Sequence, residues 1–240
     1  MVRNKSLKTI YLFTCLGISL FIFLNAGCQF YKRPVSHVKP FPFKTGKIVV
    51  LGFRPAMSPG AEPGVIRSPV AGTVFMSEPV PQRVAEKMTV KLFDRLQKVK
   101  GYQLIGPNQA SGVFASLVAS EQGMSEIDIF QRIGQALSAD AVMIGYIYRW
   151  REREGKDYSV NRPASAAFDL YLISSVDKAV LWKGKFDKTQ KSLSENLFDM
   201  GTFLKGRGRW MTVENLAEMG LIELLDKSLM DKEEEKETKY

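Results

Sequence analysis

Cys28 is the residue whose type and setting most plainly imply a chemical event. It closes the stretch Leu24-Asn25-Ala26-Gly27-Cys28, behind an apolar run from Ile10 to Leu24 and a basic start carrying Arg3, Lys5 and Lys8. A thiol placed directly after two small residues at the end of such a run reads as a lipobox: the sulfur takes lipid, and cleavage before it makes Cys28 the first mature residue. Asn25 stands three residues before the cysteine, where Leu is usual, and Leu24 lies one position further out. The run is 15 residues long, short of the roughly 18 expected of a spanning helix. Ala26-Gly27 suits a cleavage site rather than a stop-transfer segment. Two readings compete with this one: an uncleaved N-terminal membrane anchor, and a plain signal cut near Ala26 that leaves an ordinary thiol.

Other reactive constellations are thin. Cys15 lies inside the apolar run, so a processed chain keeps only Cys28, which excludes a disulfide framework and a cysteine-based zinc site. The single histidine, His37, sits in a proline-rich segment with no orienting partner for nucleophilic catalysis. Carboxylates cluster at Glu152/Glu154 and Glu233 to Glu235, in charged segments rather than the partly apolar pocket that a glycosidase-type pair needs. No glycine loop ends in the Gly-Lys-Ser/Thr of a phosphate cradle. No catalytic residue, metal site or cofactor is therefore expected, and the chain reads as non-enzymatic.

Two basic-aromatic segments are the candidate binding residues. One is Arg149-Trp150-Arg151, with Arg153 close behind, and the other is Lys205-Gly206-Arg207-Gly208-Arg209-Trp210. Guanidinium forks hold carboxylate or phosphate, and Trp offers a stacking face. The competing reading is a solvated linker with its Trp anchored in the core. An extracytoplasmic, lipid-tethered location argues against nucleic acid as the anion.

These residues sit in a chain of four parts: a lipoprotein signal peptide (1–27), the lipidated Cys28 with a proline-rich tether (28–46), one α/β domain (47–230) and a charged tail (231–240). Pro34, Pro40 and Pro42 make the tether an extended, semi-rigid spacer, and its 16 residues from Gln29 to Lys44 reach at most roughly 50–58 Å. Removing the signal peptide takes away three positive charges and leaves 31 Lys+Arg against 25 Asp+Glu, a net of +6. Such a charge suits anionic polymers or headgroups and is equally an ordinary solubility feature. Gln29, where an Asp would favour inner-membrane retention, points to the outer membrane with the domain facing the periplasm.

Within the domain, Lys47 to Phe53 is continuously apolar and predicts a buried strand. Residues 55–81, rich in Pro and Gly, predict a long loop. Ala85, Met88, Leu92, Leu96 and Val99 share one face of a helix over 80–99, ended by Gly101 in a left-handed cap. Tyr102 to Ile105 is a second strand, completing a βαβ crossover. Residues 108–123 are loose. Ser125 and Asp128 form a capping box for a second helix, with Ile129, Ile133 and Leu137, helped by Ala136, on its buried face. Residues 138–150 are a long strand that begins buried and ends alternating. Ala164 to Ser174 alternates throughout, Asp177-Lys178 makes a hairpin, and Ala179 to Thr189 is the last strand. Helices follow over 193–204 and 213–229. The fold class is thus mixed α/β: a β-α-β-α-β-β-β sheet domain with helices packed on it and one or two C-terminal helices.

Ile48-Val49-Val50-Leu51-Gly52-Phe53, Tyr102-Gln103-Leu104-Ile105 and Leu137-Ser138-Ala139-Asp140-Ala141-Val142-Met143-Ile144-Gly145 resemble a group of bacterial envelope proteins. The group includes the curli secretion lipoprotein, the lipoprotein activator of penicillin-binding proteins and the N-terminal domain of the Tol-system propeller protein. Ser138 replaces a glycine usual there. The resemblance implies a mixed α/β sheet that binds other envelope components, protein or peptidoglycan, with membrane attachment through Cys28 and possible homo-oligomers. It implies structural roles for Asp140, capping the helix-to-strand corner, and Gly145, allowing close backbone approach. An alternative within the same resemblance is an oligomeric accessory subunit of an outer-membrane export apparatus. Pore formation is not expected, because 55–81 is too rich in Pro and Gly, and 149–157 too charged, to supply lipid-facing strands of about ten residues.

Overall fold

The computed structural model describes residues 46–120, 123–156, 159–190 and 210–237. The elements in chain order are β1 (Gly46–Pro55), β2 (Gly64–Arg67), β3 (Val74–Ser77), α1 (Gln82–Gln97), β4 (Tyr102–Ile105), α2 (Pro107–Ser120), α3 (Glu126–Ala136), β5 (Ala141–Arg151), β6 (Glu154–Lys156), β7 (Ser159–Arg162), β8 (Ser165–Ser174), β9 (Val180–Thr189) and α4 (Val213–Glu237). Five strands form one mixed sheet in the order β4-β1-β5-β8-β9, and two hairpins, β2–β3 and β6–β7, stand apart from it. β4, β1 and β5 run parallel, while β8 and β9 run antiparallel.

The period of two along the strands divides the core into two layers. Ile48, Val50, Met143, Ile147, Phe168 and Leu172 join α1 and α4 on one face. Val49, Val142, Ile144, Tyr148, Tyr171 and Ile173 join α2, α3 and Phe75 of β3 on the other. The central strands are accordingly buried on both faces, and every residue of β8 is buried. β9 is a sheet edge, and outward Lys183 and Lys185 guard it against strand addition.

Two β-bulges reset the alternation. In β1 the register slips between Val50 and Gly52. Gly52 takes φ +81°, and a Cβ there would lie 2.2 Å from Thr89 Cγ2. Thr89, the polar residue in the apolar stripe of α1, accepts the Phe53 N–H at 2.8 Å and donates to the Ala85 carbonyl. Beyond the bulge Phe53 enters the α1–α4 layer and Arg54 turns to the α2–α3 side. In β5 the slip falls between Ile147 and Arg149.

Several expectations need correction. The 55–81 segment is not all loop, because alternating Val65, Ile66, Phe75 and Met76 pair into a hairpin whose Phe75 stacks on Tyr148 at 3.8 Å. Residues 107–120 form α2, packed on β1, rather than a loose stretch. The buried side of α3 is Phe130, Ile133 and Gly134, whereas Ala136 is exposed and Ile129 and Leu137 are half-buried. β5 does not alternate toward solvent at its far end, since the β2–β3 hairpin covers it and burial continues through Arg149. A further hairpin, β6–β7, occupies the return toward β8. α4 runs on through the start of the charged tail to Glu237, and the helix expected over 193–204 lies outside the described residues. The capping box forms, with Ser125 Oγ accepting the Asp128 N–H at 3.3 Å, and Gly101 is left-handed at φ +96°.

Asp140 and Gly145 also act differently from expectation. The Asp140 carboxylate accepts the N–H of Lys47 at 2.7 Å, tying the start of β1 to that of β5. Gly145 makes room for an aromatic ring rather than backbone: a Cβ there would lie 2.5 Å from Phe53 Cδ1.

Candidate functional site

The expected binding residues meet different fates. Cys28, Lys205, Arg207 and Arg209 lie outside the described residues. Arg149 turns inward, 8% exposed. Its Nε donates to Ser165 Oγ at 2.7 Å, Nη1 to the Met76 carbonyl at 3.1 Å, and Nη2 to Asp187 Oδ1 at 2.5 Å. The anion it holds is therefore the chain's own Asp187, because the bulge in β5 puts Arg149 under the hairpin instead of at a solvent-facing strand end. Trp150, on the opposite side, is half-buried against the α1–α4 layer. Arg151 Nη1 pairs with Glu78 Oε1 at 3.2 Å, just past β3.

Of the second basic-aromatic segment only Trp210 is among the described residues, and it comes near the first. Glu152 Oε1 accepts the N–H of Val213 at 3.2 Å, and Gln190 Oε1 accepts that of Met211 at 2.8 Å. These bonds bring the half-buried Trp210 to the end of the sheet that carries Arg151. A sequence separation of some 60 residues hides such a meeting, which depends on β8 and β9 returning the chain.

The β2–β3 hairpin is the other surface feature. Its inner face is latched: Phe75 stacks on Tyr148, Ser77 Oγ donates to the Tyr148 carbonyl at 2.8 Å, and Ser68 Oγ meets Tyr171 Oη at 2.7 Å. Its outer face shows Val65, Val74 and Met76 at 63%, 46% and 60% exposure. Apolar side chains grouped this way mark contact surfaces more often than scattered ones do.

Beneath the hairpin lies a buried acid that charge patterning alone does not reveal. Asp169 is 1% exposed. Tyr148 and Tyr171 both donate to its Oδ2, at 2.9 and 2.6 Å, while Oδ1 has no hydrogen-bond partner among the described residues. Burial pushes its carboxyl up to about 6, against the opposing pull of the Tyr171, Ser68 and Tyr148 hydroxyls. The same burial, with the Asp169 charge nearby, raises both tyrosines well above the usual phenol range. Through Tyr171, whose hydroxyl also meets Ser68 Oγ beside β2, this group serves as the polar seat of the hairpin.

A cavity of about 460 Å³ opens past the end of β1, lined by Arg54, Pro55, Met57, Val80, Gln82 and Phe114 among others. The Arg54 guanidinium lies over the Phe114 ring, 3.7 Å from its centroid. Burial lowers the Arg54 pKa, and the charge of Glu126 opposes that fall. Glu126 itself accepts a short hydrogen bond from the Tyr146 hydroxyl.

These features define a mixed α/β sheet domain. No family model matches the chain, and no curated protein matches it in sequence. Its structural neighbours include the C-terminal domain of LpoB from Salmonella enterica, 14% identical with a TM-score of 0.36 over 65% of this chain and 87% of that one. Lipoprotein GNA1162 from Neisseria meningitidis is 13% identical, with a TM-score of 0.39 over 67% and 92%. The PelC dodecamer from Paraburkholderia phytofirmans is 13% identical, with a TM-score of 0.40 over 80% and 92%.

Proposed function

We propose that this chain is a non-enzymatic, lipid-anchored envelope protein whose α/β domain faces the periplasm and binds another envelope component, as an adaptor or activator. The observation that carries this reading is the Leu24 to Cys28 stretch, set behind a basic start and a 15-residue apolar run. Lipid on Cys28 fixes one end in the outer membrane, the proline tether gives reach, and the domain does the recognition. Several acyl chains hold a protein far more firmly than one, which suits a permanent positioning role. Trp150, Arg151 and Trp210 supply cationic and stacking contacts at one end of the sheet, to peptidoglycan carboxylates or to an acidic protein.

A second reading, an oligomeric subunit of an outer-membrane export apparatus, is favoured by one observation: the apolar outer face of the β2–β3 hairpin. Gentle extraction separates the two. A ring-sized assembly of this chain supports the export subunit, and a monomer crosslinked to a different envelope protein supports the adaptor. The anchor is tested by Cys28→Ala in cells, followed by membrane fractionation. Release from the membrane or accumulation of the uncut precursor is expected. Unchanged membrane retention of a processed chain would sink the lipoprotein reading.

A further inference from the structure

Arg54 is the cation whose setting the adaptor reading leaves unexplained. It is half-buried, its pKa is depressed by burial, and no hydrogen bond or ion pair joins it to another described residue. Such a group normally finds an anion, because a partly desolvated charge without a partner is costly. Arg149, Arg95 and Arg151 all do so within the fold. Around Arg54 the candidates are absent or engaged. α1 begins at the cavity with no side-chain cap and no acid in its first turn. Glu126, whose charge Arg54 does feel, is bonded to the Tyr146 hydroxyl.

The cavity lies beyond the carboxyl end of β1, between the start of α1 at Gln82 and Phe114 of α2. Its volume of about 460 Å³ falls within the range of small-molecule sites. The bulge at Gly52 is what points Arg54 into it, since an unbroken alternation would send position 54 to the opposite face.

We propose that this cavity binds a small ligand with one carboxylate and an apolar body, Arg54 taking the carboxylate while Met57, Val80 and Phe114 pack the body. Stacking on Phe114 holds the guanidinium plane and leaves its N–H edge for a planar, bidentate partner. A single cation, with Gln82 and Ser58 as the other polar side chains of the lining, matches a monoanion better than a phosphate dianion, whose second charge would have no counter-charge. The inference is independent of the anchor: a Cys28→Ala form retains the site.

Isothermal titration of the full-length protein tests it, using N-acetylvaline, its uncharged amide N-acetylvalinamide, and inorganic phosphate. The acid is expected to bind, with the amide and phosphate each at least ten times weaker. Arg54→Gln should weaken the acid at least tenfold, and Lys178→Gln, a surface cation paired with Asp128, should leave it unchanged. Should Arg54→Gln fail to fold, Arg54→Lys decides, as it keeps the charge and loses the fork; about fivefold weaker binding is expected. No binding of the acid, equal binding of the amide, tighter binding of phosphate, or an Arg54 variant that binds like the wild type each overturns the proposal.

Discussion

Asp169 shows how one buried residue links packing to pH. Folded, it keeps its proton to about pH 6, whereas in the unfolded chain it loses it near the ordinary 3.8. Between those values the folded state binds the extra proton. Stability from this group is therefore full below about 3.8 and is lost as pH rises through about 6, by on the order of 3 kcal/mol in all. Asp169→Asn removes the ionisation yet keeps a carbonyl oxygen to accept from Tyr148 and Tyr171. Urea midpoints should then fall less between pH 4.5 and pH 8 than in the wild type, and the variant should be the more stable form at pH 8. An unchanged pH slope would show that the carboxyl is not the group titrating. Neither Asp169 nor Arg54 announces itself in the sequence. Each is a charged residue in an otherwise ordinary strand, and what distinguishes it is the layer that its strand presents it to.

At the scale of elements, the β1 bulge decides the most. A glycine near the end of an apolar run signals a bulge or a close approach, and Gly52 proves to be both. Gly52→Ala faces a left-handed backbone and a Cβ 2.2 Å from Thr89 Cγ2, and should cost about 2–4 kcal/mol. Gly60 shares the same φ of +81° with nothing within 4 Å, so Gly60→Ala should cost only about 1–2 kcal/mol. Chemical denaturation of the two variants isolates the Thr89 contact; equal losses would assign the whole effect to the backbone. α1, α3, β5, β8 and β9 were legible because their apolar spacing matches period 3.6 or 2 over enough residues, β1 because it is a continuous apolar run, and β4, only four residues long, because Gly101 and Gly106-Pro107 bracket it. The β2–β3 hairpin was hidden by strands of four residues between Pro and Gly. α2 was hidden by small residues such as Ala110, Ser111 and Gly112, which mark no apolar face strongly.

For the molecule as a whole, the question is which surface carries the contacts. Val65→Glu and Met76→Glu alter side chains that are 63% and 60% exposed, so thermal stability should change by no more than about 0.5 kcal/mol. If the hairpin is the contact between copies, as the oligomeric reading has it, crosslinking from it in intact cells should lose the captured copy in both variants. A partner retained by both leaves recognition at the Trp150–Arg151 end of the sheet.

What the amino-acid sequence determined by itself was the fold class, and it carries the linear pattern on which the proposed location rests. A basic start, an apolar run and Leu24 to Cys28 are read as a linear pattern, and the mixed α/β class follows from local periodicity. Tertiary structure decided which polar residues are partners and which remain open. Arg149 meets Asp187 across the sheet, Asp169 lies under a hairpin about 90 residues earlier in the chain, and Arg54 faces a cavity because a one-residue bulge reverses its side of the strand. A side-chain period of two makes that outcome depend on register, and register is set by pairing between distant strands.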